Sequence, residues 1–558
     1  MTRVLTEERT PLNRNFFDGN ETLKKLLKEK LDDALYAFAD EELPELGRAA
    51  ANEIDERARH TDREGAPRLE KYDRFGNDQS KVWVNEGYEK TVQQVYDTGI
   101  VGYVHEPIPA LGRKGNYLYS FTQGFLVSHA EAGFYCPVTL TMATAYLLDH
   151  FADERVRSRF LPHVCSTGDL PLYEGATFLT ERQGGSDVGA NVVKAAFEDG
   201  EYRLYGEKYF ASNAGMAGVA MVLARIEGAP AGSKGLTLFA VPWKVDGELN
   251  GIKIRRLKDK LGVRAVPSGE VEFDGAKAYV VGDPSKGIYY MLEALNLSRI
   301  CNAVASIGIM RRALLEAKDY AEKREAFGAP LTQYPMIKDS LGKMAATLHA
   351  ETVSVFELIS LYDRVSAGDA SREDALLVRL LIALLKKETA ENAIHFSHEA
   401  IEMHGGNGYI EDFVTPRLLR DAQVLTVWEG TANILAMELI RLLKSGIVEI
   451  FETWVHKQLA AIQSSSWHDF LKGQGERILE ELKQFERMPS DLQSYEAKRM
   501  MQEMTKLTES LFTAAFAVRH GERELALCEV FCEETWETRS FGQEMKTSEM
   551  TGLLMRNV

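Results

Sequence analysis

The spacing of apolar residues along the chain changes twice, and these changes divide it into regions. From about residue 20 to 165, apolar side chains recur three and four positions apart, as in LKKLLKEKLDDALYAFADEEL. This period predicts amphipathic helices, because residues so spaced share one helix face. A polar stretch at 56–78 is dense in Arg, Asp, Glu and Gly. It predicts a long loop or lid that interrupts the helical region.

Short runs of β-branched and aromatic residues mark the middle of the chain, from about 172 to 285. Gly, Asp, Asn and Pro separate the runs YRLYGEKYFAS, GVAMVLARI, LTLFAVPWKV, IKIRRL and GEVEFDGAKAYVV. Such runs predict antiparallel strands of a compact sheet or barrel. Helical spacing resumes from 287 to about 443, beginning with one long helix that is predicted to end near Gly328 and Pro330.

These patterns predict an α+β fold with four units. We expect an N-terminal helical domain at 1–170, a central β domain at 171–285, a helical bundle at 286–443 and an additional helical domain at 444–558. A chain of 558 residues with 45% hydrophobic and 27% charged residues can bury several cores of this kind.

The charge balance disfavours a general nucleic-acid-binding surface. The formal net charge is −17, and residues 441–558 carry 15 Lys and Arg against 19 Asp and Glu, a net charge of −4. Non-specific affinity for nucleic acid depends on basic side chains that neutralise phosphates. A local basic groove remains compatible with these counts.

Five cysteines are scattered without a metal-ligand spacing, so no metal site is predicted. An odd, sparse count suits a reducing compartment, and Cys528 and Cys532 are predicted to be buried thiols on one helix face. The first residues form no apolar signal segment, and the most apolar internal stretch, 375–385, is short and contains Arg379. These features predict a cytoplasmic protein without a membrane span.

Two segments have compositions that a flavin site requires. TFLTERQGGSDV at 177–188 combines paired glycines with the hydroxyls of Thr180 and Ser186, which can donate to a ring oxygen or a phosphate. Strand alternation in GEKYFASN at 206–213 puts Phe210 and Ser212 on one face, an aromatic ring beside a hydroxyl. Taken alone, the first segment also fits a glycine-rich turn, and the second is more often ordinary core packing.

A third group of segments contains a candidate general base. MHGGNGY at 403–409 is followed by RDA at 420–422 and by VWEGTAN at 427–433. Desolvation beside Trp428 would raise the pKa of Glu429 toward the range of a base that acts near neutral pH. Gly430 would let a substrate carbonyl approach backbone N–H groups. An isolated WEG is also compatible with an exposed glutamate at the start of a helix.

Together these segments resemble the motifs of the acyl-CoA dehydrogenases. The family pattern runs TExxxGSD, W-x-T or F-x-S, GGxG, RD and [YW]EGT, and all five occur here in that order between residues 180 and 431. REAFG at 324–328 resembles the RxxFG element of the family. The resemblance covers roughly residues 95–440. TERQGGSDV, LKDKLG at 257–262, WEGTAN and the long helical C-terminus are most similar to the AidB-like branch.

The resemblance implies FAD as the cofactor and Glu429 as the base. The residues it places at FAD are Phe178, Leu179, Thr180, Ser186, Phe210, Ala211, Ser212, Arg324, Ala326, Glu402, Gly405, Gly406, Thr431 and Asn433. Those it places at the substrate are Ser186, Asn296, Arg299 and Gly430. In the family, Arg324 and the 402–406 turn reach the FAD of a neighbouring subunit, which implies a homo-oligomer, either a dimer or a tetramer.

The sequence departs from familiar members of the family at three positions. Glu402 stands where many have glutamine, and Asn296 stands where several have an aspartate that contacts CoA. Some members carry the catalytic carboxylate immediately before the arginine that matches Arg299, but here that residue is Ser298. Glu429 is therefore the base that the family resemblance supports.

The implied reaction is α,β-desaturation of an acyl-CoA thioester. Glu429 would take the α-proton while the β-hydrogen leaves as hydride to the flavin, and an electron-transfer flavoprotein would reoxidise the flavin. An acyl-CoA oxidase is an alternative, because the same base and flavin contacts serve both enzymes. A second alternative is an AidB-like flavoprotein with low dehydrogenase activity that binds and protects nucleic acid. The acidic C-terminal balance weighs against this second alternative.

Overall fold

The computed structural model describes residues 15–538 and 546–556. Its N-terminal part is helical, as the apolar spacing predicts. The helices are α1 (Glu21–Lys30), α2 (Asp33–Ala49), α3 (Asp55–Arg63), α4 (Glu86–Tyr96), α5 (Gly102–His105), α6 (Tyr117–Ala130), α7 (Ala132–Phe151) and α8 (Glu154–Val164). A π-helical turn at Ala50–Ile54 joins α2 to α3. The buried helices α6 and α7 form the centre of this domain.

The prediction of a long loop at 56–78 is wrong. Helix α3 covers its first part, and β1 (Arg68–Tyr72) then pairs antiparallel with β2 (Asp78–Trp83). Contacts with the β domain stabilise this polar hairpin: Lys71 Nζ donates to the Ile254 carbonyl at 2.7 Å, and Ser80 Oγ accepts from Ile254 N at 2.8 Å. A second, short hairpin pairs β3 (Pro107–Ile108) with β4 (Arg113–Lys114).

The central domain is a β-barrel, and one further strand pairs with the barrel at each end of the sheet. Its strands are β5 (Gly175–Phe178), β6 (Lys194–Glu198), β7 (Glu201–Ser212), β8 (Val219–Ile226), β9 (Leu236–Pro242), β10 (Lys244–Val245), β11 (Glu248–Leu249), β12 (Ile252–Leu257) and β13 (Ser268–Val280). The sheet order is β12-β13-β7-β6-β8-β5, and β9 closes a ring by pairing with both β13 and β8. Most neighbours are antiparallel, as predicted, but β8 is parallel to β5 and β6.

Long helices form the rest of the chain. The third domain contains α9 (Gly287–Lys323), the short hairpin β14 (Glu325–Ala326) and β15 (Ala329–Pro330), α10 (Pro335–Ser366), α11 (Arg372–His404), α12 (Thr415–Leu425) and α13 (Ala432–Leu443). The C-terminal helices are α14 (Ile447–Ala461), α15 (His468–Glu486), α16 (Ser490–His520), α17 (Glu522–Thr535) and α18 (Lys546–Leu554). The long helix α9 ends at Lys323, a few residues before Gly328, where the sequence predicted its end. The chain turns there into the β14–β15 hairpin.

Two further sequence expectations can be compared with the structure. Cys528 and Cys532 are both buried within α17, which confirms their prediction as core thiols. Across the residues that the structure describes, none of the helices has both the length and the apolar character needed to traverse a bilayer.

Candidate active site

Glu429 lies in the turn between α12 and α13, and the backbone of this turn is unusual. Glu429 has φ +60°, in the left-handed region, and Gly430 follows with φ +106°. A glutamate has no intrinsic preference for the left-handed region, so contacts from elsewhere must maintain this conformation. The turn directs two consecutive carbonyl groups toward the long helices of the bundle.

Two cationic side chains hold these carbonyl groups. Arg299 of α9 donates through Nε to the Glu429 carbonyl at 3.0 Å, and Lys386 of α11 donates through Nζ to the Gly430 carbonyl at 2.9 Å. Arg299 also donates to Asn296 Oδ1 at 3.2 Å, one helical turn earlier. Both cations are buried. Arg299 and Asn296, predicted as substrate residues, therefore belong to the same cluster as Glu429.

Burial and charge act in opposite directions on the Glu429 carboxylate. Burial raises the pKa of Glu429 above its ordinary value, as the sequence predicted, and the nearby Arg299 and Lys386 charges lower it in part. Burial also lowers the pKa of Lys386 to about 8. Desolvation makes this carboxylate a stronger proton acceptor than one in water, and the two cations oppose that effect.

The predicted flavin face lies on the barrel. The Tyr209 N–H donates to the Thr180 carbonyl at 2.9 Å, which joins the 177–188 segment to β7. Ala211 is buried, whereas Phe210 is 55% exposed and Ser212 is half-buried, so alternation presents Phe210 and Ser212 together as predicted. Phe178 is 1% exposed. Its ring therefore belongs to the barrel core and is not part of the exposed face.

A buried ion pair fixes the loop that follows Thr180. Lys208 of β7 donates to Glu181 Oε1 at 2.9 Å, and the two side chains are 0% and 2% exposed. Glu181 also accepts from the Val192 N–H at 2.7 Å, so it ties both ends of the loop together. The loop itself leaves Ser186 exposed, and Gly184 has φ +123°. Sequence reasoning assigned no role to Glu181, although it is the second residue of the TExxxGSD motif.

Hydrogen bonds and charges extend from this barrel face toward Glu429. Ser212 Oγ lies 3.3 Å from Ser268 Oγ, and Lys260 Nζ donates to Ser268 Oγ at 3.4 Å. Lys260 and Glu429 both act electrostatically on the thiol of Cys136, whose pKa burial raises to about 12. Through Lys260, the predicted flavin face and Glu429 thus act on the same thiol. Sequence reasoning gave Lys260 no role.

The RD motif anchors the segment that carries Lys260. Asp421 accepts from the Val263 N–H at 2.5 Å, and Arg420 makes a bidentate pair with Asp62 of α3 at 2.9 and 2.6 Å. A Cβ at Gly262 would overlap the Arg420 carbonyl, so the close approach requires glycine. The motif is structural here, since it docks the barrel onto α12 and α3.

The remaining predicted cofactor residues lie in two places. Thr431 and Asn433 are exposed at the start of α13, next to Glu429. The others lie at the far ends of the long helices: Arg324 and Ala326 on the turn after α9, and Glu402, Gly405 and Gly406 at the end of α11. Tyr320 connects these two ends, because it stacks on His404 at 4.2 Å and accepts from Asn407 at 3.1 Å.

The five predicted cofactor residues at the far helix ends do not meet the rest of the site within one chain. Arg324 follows Arg299 by 25 positions on a continuous helix, which is about 37 Å along the axis at 1.5 Å per residue. Arg324, Glu402, Gly405 and Gly406 are all exposed. Their surface is available to a group held elsewhere.

Comparison with known proteins decides the family. A model of the adaptive response protein AidB N-terminal domain matches residues 9–168, the acyl-CoA dehydrogenase middle domain matches 176–276, and the acyl-CoA dehydrogenase C-terminal domain matches 285–443. Acyl-CoA dehydrogenase family member 11 of Caenorhabditis elegans is 32% identical over 492 residues, covering 86% of this chain and 78% of that protein. The chain belongs to the acyl-CoA dehydrogenase family.

Other relatives agree with this assignment and with the AidB-like branch. Putative acyl-CoA dehydrogenase AidB of Escherichia coli K12 is 35% identical over 350 residues, covering 61% of this chain and 63% of that protein. The crystal structure of Caenorhabditis elegans ACDH-11 in complex with C11-CoA is 28% identical, with a TM-score of 0.83, and the match covers 92% of this chain and 90% of that one. Membership confirms the predicted fold class, the oxidoreductase assignment and FAD as the cofactor of this acyl-CoA dehydrogenase.

Proposed function

We propose that this acyl-CoA dehydrogenase desaturates an acyl-CoA thioester between its α and β carbons, with Glu429 as the base. The observation that carries the proposal is the environment of Glu429. Its carboxylate has a pKa raised by burial, and its backbone is held by Arg299 and Lys386. A C–H group α to a thioester is a weak acid, so a desolvated base and a preorganised oxyanion site must act together.

The barrel face fits a flavin. A half-exposed Phe210 ring beside the Ser212 hydroxyl offers one surface for stacking and one hydrogen-bond donor, and the loop with Gly184 and Ser186 is open. When bound, FAD supplies the acceptor for the β-hydrogen. The residues that would hold it from this chain are Phe178, Leu179, Thr180, Ser186, Phe210, Ala211, Ser212, Thr431 and Asn433.

The protein's own groups position the substrate and move the proton. Glu429 removes the α-proton, and its backbone N–H donates to the thioester oxygen, where negative charge develops. Asn296, Arg299, Ser186 and Gly430 contact the acyl-CoA. Arg299 and Lys386 favour the ionised form of Glu429, because their charges oppose the effect of burial on its pKa. An electron-transfer flavoprotein is the proposed electron acceptor, and use of oxygen would make the protein an oxidase.

A neighbouring subunit is proposed to complete the cofactor site. Arg324, Glu402, Gly405 and Gly406 are exposed and Ala326 is half-buried, and the lengths of α9 and α11 separate these residues from Glu429. In a homo-oligomer these residues would meet the FAD of an adjacent copy. The proposed assembly is a dimer or a tetramer.

The replacement Glu429→Gln tests the base. The variant should keep its fold and its bound FAD but lose flavin bleaching when mixed anaerobically with acyl-CoAs of short to long chain. Loss of a general base costs a factor of about 10² to 10⁴ in rate. Glu449→Gln, the same change at an exposed position of α14, should bleach like the wild type. Equal bleaching by Glu429→Gln would show that Glu429 is not the base.

One alternative function has specific support. The matches to the AidB N-terminal domain and to Escherichia coli AidB support the AidB-like branch, for which the sequence raised the alternative of a flavoprotein that binds nucleic acid and has little dehydrogenase turnover. The net charge of −4 over 441–558 argues against it. Wild-type protein that bleaches with none of the acyl-CoAs, and whose full chain binds duplex DNA tightly at physiological salt, would favour this alternative.

A further inference from the structure

Lys386 is a buried cation in the middle of α11. Its side chain is 1% exposed. Removing an ammonium group from water is costly unless the protein provides compensating hydrogen bonds or charge. The hydrogen bond of Lys386 goes to the Gly430 carbonyl, and the charges that act on it are those of Glu429, Arg299 and Glu391. The residue is therefore oriented toward the turn that contains Glu429.

Lys386 and Arg299 hold consecutive carbonyls of that turn from two different helices. Arg299 binds the carbonyl of Glu429 at 3.0 Å, and Lys386 binds the carbonyl of Gly430 at 2.9 Å. Two successive peptide units of the turn, 429–430 and 430–431, are therefore each held at the carbonyl group. Left-handed conformations such as that of Glu429 persist when surrounding contacts determine them. The two cations supply such contacts.

We propose that Lys386 is a positioning residue for Glu429, whose ammonium group holds the Gly430 carbonyl and thereby presents the Glu429 carboxylate to the substrate. This inference rests on the proposed function of Glu429 as the base. Lys386 acts through the turn and through its charge, without contact with the reacting atoms.

The charges around Glu429 support a second effect of Lys386. The groups that face the carboxylate are Arg299 and Cys301 on α9, Lys386 on α11 and Cys136 on α7. Burial raises the pKa values of both thiols, so they stay neutral at physiological pH. Arg299 and Lys386 are thus the cations that lower the pKa of Glu429. Without Lys386 this pKa should rise, and the acidic limb of the pH profile should move to higher pH.

The first experiment measures the backbone of the turn without using activity. Amide hydrogen exchange of the peptide 425–434 is followed by mass spectrometry in FAD-loaded wild type, Lys386→Met and Lys387→Met. A lost charge-assisted hydrogen bond corresponds to a factor of about 10 to 100 in an equilibrium. Lys386→Met should accelerate exchange at 428–431 by this factor. Lys387→Met is the matched control, since Lys387 lies next to it on α11 but pairs with Glu391 at 2.9 Å.

The second experiment isolates proton removal. A 3-thia-acyl-CoA has sulfur in place of the β-carbon, so it can lose an α-proton but has no β-hydrogen to transfer. Its ionisation on the enzyme is followed by absorbance as a function of pH. The midpoint should move to higher pH in Lys386→Met and stay in place in Lys387→Met. If Lys386→Met does not fold, Lys386→Gln replaces it, and the loss of charge should still move the midpoint upward.

The two experiments distinguish failure of this inference from failure of the proposed function. If Lys386→Met exchanges and titrates like the wild type, or if Lys387→Met shows the same changes, Lys386 has no positioning role. If wild type ionises no analogue and bleaches with no acyl-CoA, the proposed function fails. In that case, unchanged exchange at 428–431 in Lys386→Met would also reject the positioning role. Accelerated exchange would show that Lys386 holds the backbone of the turn and does no more.

Discussion

At the scale of single residues, the site depends on a turn that few sequences can adopt. Gly430 has φ +106°, and a Cβ there would lie 3.1 Å from Ile434 Cγ2. We therefore expect Gly430→Ala to destabilise the protein by about 1–3 kcal/mol and to displace the Gly430 carbonyl from Lys386. Urea unfolding measures the first effect, and anaerobic bleaching of the flavin measures the second.

Gly368→Ala separates backbone strain from damage to the site. Gly368 also has positive φ, +79°, but open space surrounds its Cβ position, and it lies in the turn before α11. This variant should lose about 1 kcal/mol and keep the wild-type rate of bleaching. A Gly430→Ala variant with normal bleaching would mean that the turn tolerates a change of conformation.

The sequence contained enough information to find Glu429 but not Lys386. Glu429 stands in the WEGT motif, so the residues next to it in the chain are enough to match the family pattern. Lys386 lies 43 positions earlier, in a pair of lysines that resembles any exposed face of a helix. The available signal was its place one turn after Ile382, on the side of α11 that stays buried. Such a signal does not identify the carbonyl group to which a lysine donates, because that contact is set by tertiary packing.

At the scale of elements, the pair of Glu181 and Lys208 determines how the cofactor loop attaches to the barrel. Removing one member of a buried ion pair leaves an uncompensated charge, which costs roughly 3–5 kcal/mol. Lys208→Met should therefore lower stability by this amount and weaken retention of FAD, because Glu181 also holds the Val192 N–H. Thermal unfolding and the ratio of flavin to protein absorbance after gel filtration measure both effects.

An exposed pair in the same barrel provides the control for this prediction. Lys253 and Asp274 lie 2.9 Å apart, but their side chains are 44% and 60% exposed. Lys253→Met should change stability by less than about 1 kcal/mol and leave FAD bound, because water screens such a pair. A loss of stability as large as that of Lys208→Met would contradict the importance of burial.

Interhelical carboxyl groups make a pH-dependent contact between α10 and α16. Glu351 is fully buried and accepts a hydrogen bond from Asn392, and burial, together with repulsion from Glu351, raises the pKa of Glu509. Burial raises the pKa of Glu351 to about 8, from an ordinary value of 4.5. Between these pH values the native state binds more protons than the unfolded state. The free energy of unfolding should therefore fall as pH rises from about 5 through 8.

Glu351→Gln should flatten this dependence, because the amide does not ionise. Urea unfolding of wild type and variant at several pH values between 5 and 9 measures the slope. Glu357→Gln, on the same helix, removes a carboxylate that pairs with Lys30 at 2.8 Å and should not flatten the slope. Parallel curves for wild type and Glu351→Gln would show that Glu351 is ionised in the native state.

The elements predicted wrongly from the sequence are those that contacts with distant parts of the chain stabilise. The segment 56–78 is polar and rich in turn-forming residues, yet Arg420, which binds Asp62, and the barrel strand at Ile254 stabilise its helix and hairpin. The parallel pairings of β8 join strands that are far apart in the chain, which periodicity does not reveal. The long helices were predicted well because their apolar spacing extends over many turns.

At the scale of the whole molecule, the length of α9 supports the proposal that a neighbouring chain completes the cofactor site. Arg324 lies about 37 Å along α9 from Arg299, and Glu402 lies about 24 Å along α11 from Lys386, so both ends are far from the level of Glu429. Family motifs therefore place cofactor residues at two separate surfaces of one chain. The proposed assembly of copies would bring both groups of cofactor residues to one FAD. A monomer would leave Arg324 in solvent.

Arg324→Ala tests this arrangement. A lost charge-assisted contact to a diphosphate is worth roughly 1.5–3 kcal/mol, so the variant should bind FAD about 10- to 100-fold more weakly. Its intrinsic stability without FAD should stay close to that of the wild type, because Arg324 is exposed. Lys323→Ala is the control, since the neighbouring Lys323 pairs with Asp319 within the same helix at 2.8 Å and should leave FAD binding unchanged.

Light scattering of the purified protein completes the test, because FAD loss alone does not show where Arg324 acts. The holo wild type should have the mass of a dimer or tetramer at micromolar concentration. Arg324→Ala is mixed in the apo form with an excess of Ser212→Ala, which changes the barrel face, and FAD is then added. In a hybrid oligomer with shared sites, one site should contain both substitutions and another should contain neither. Flavin content above that of either variant alone is then expected. A holo monomer with normal FAD affinity would contradict the shared site.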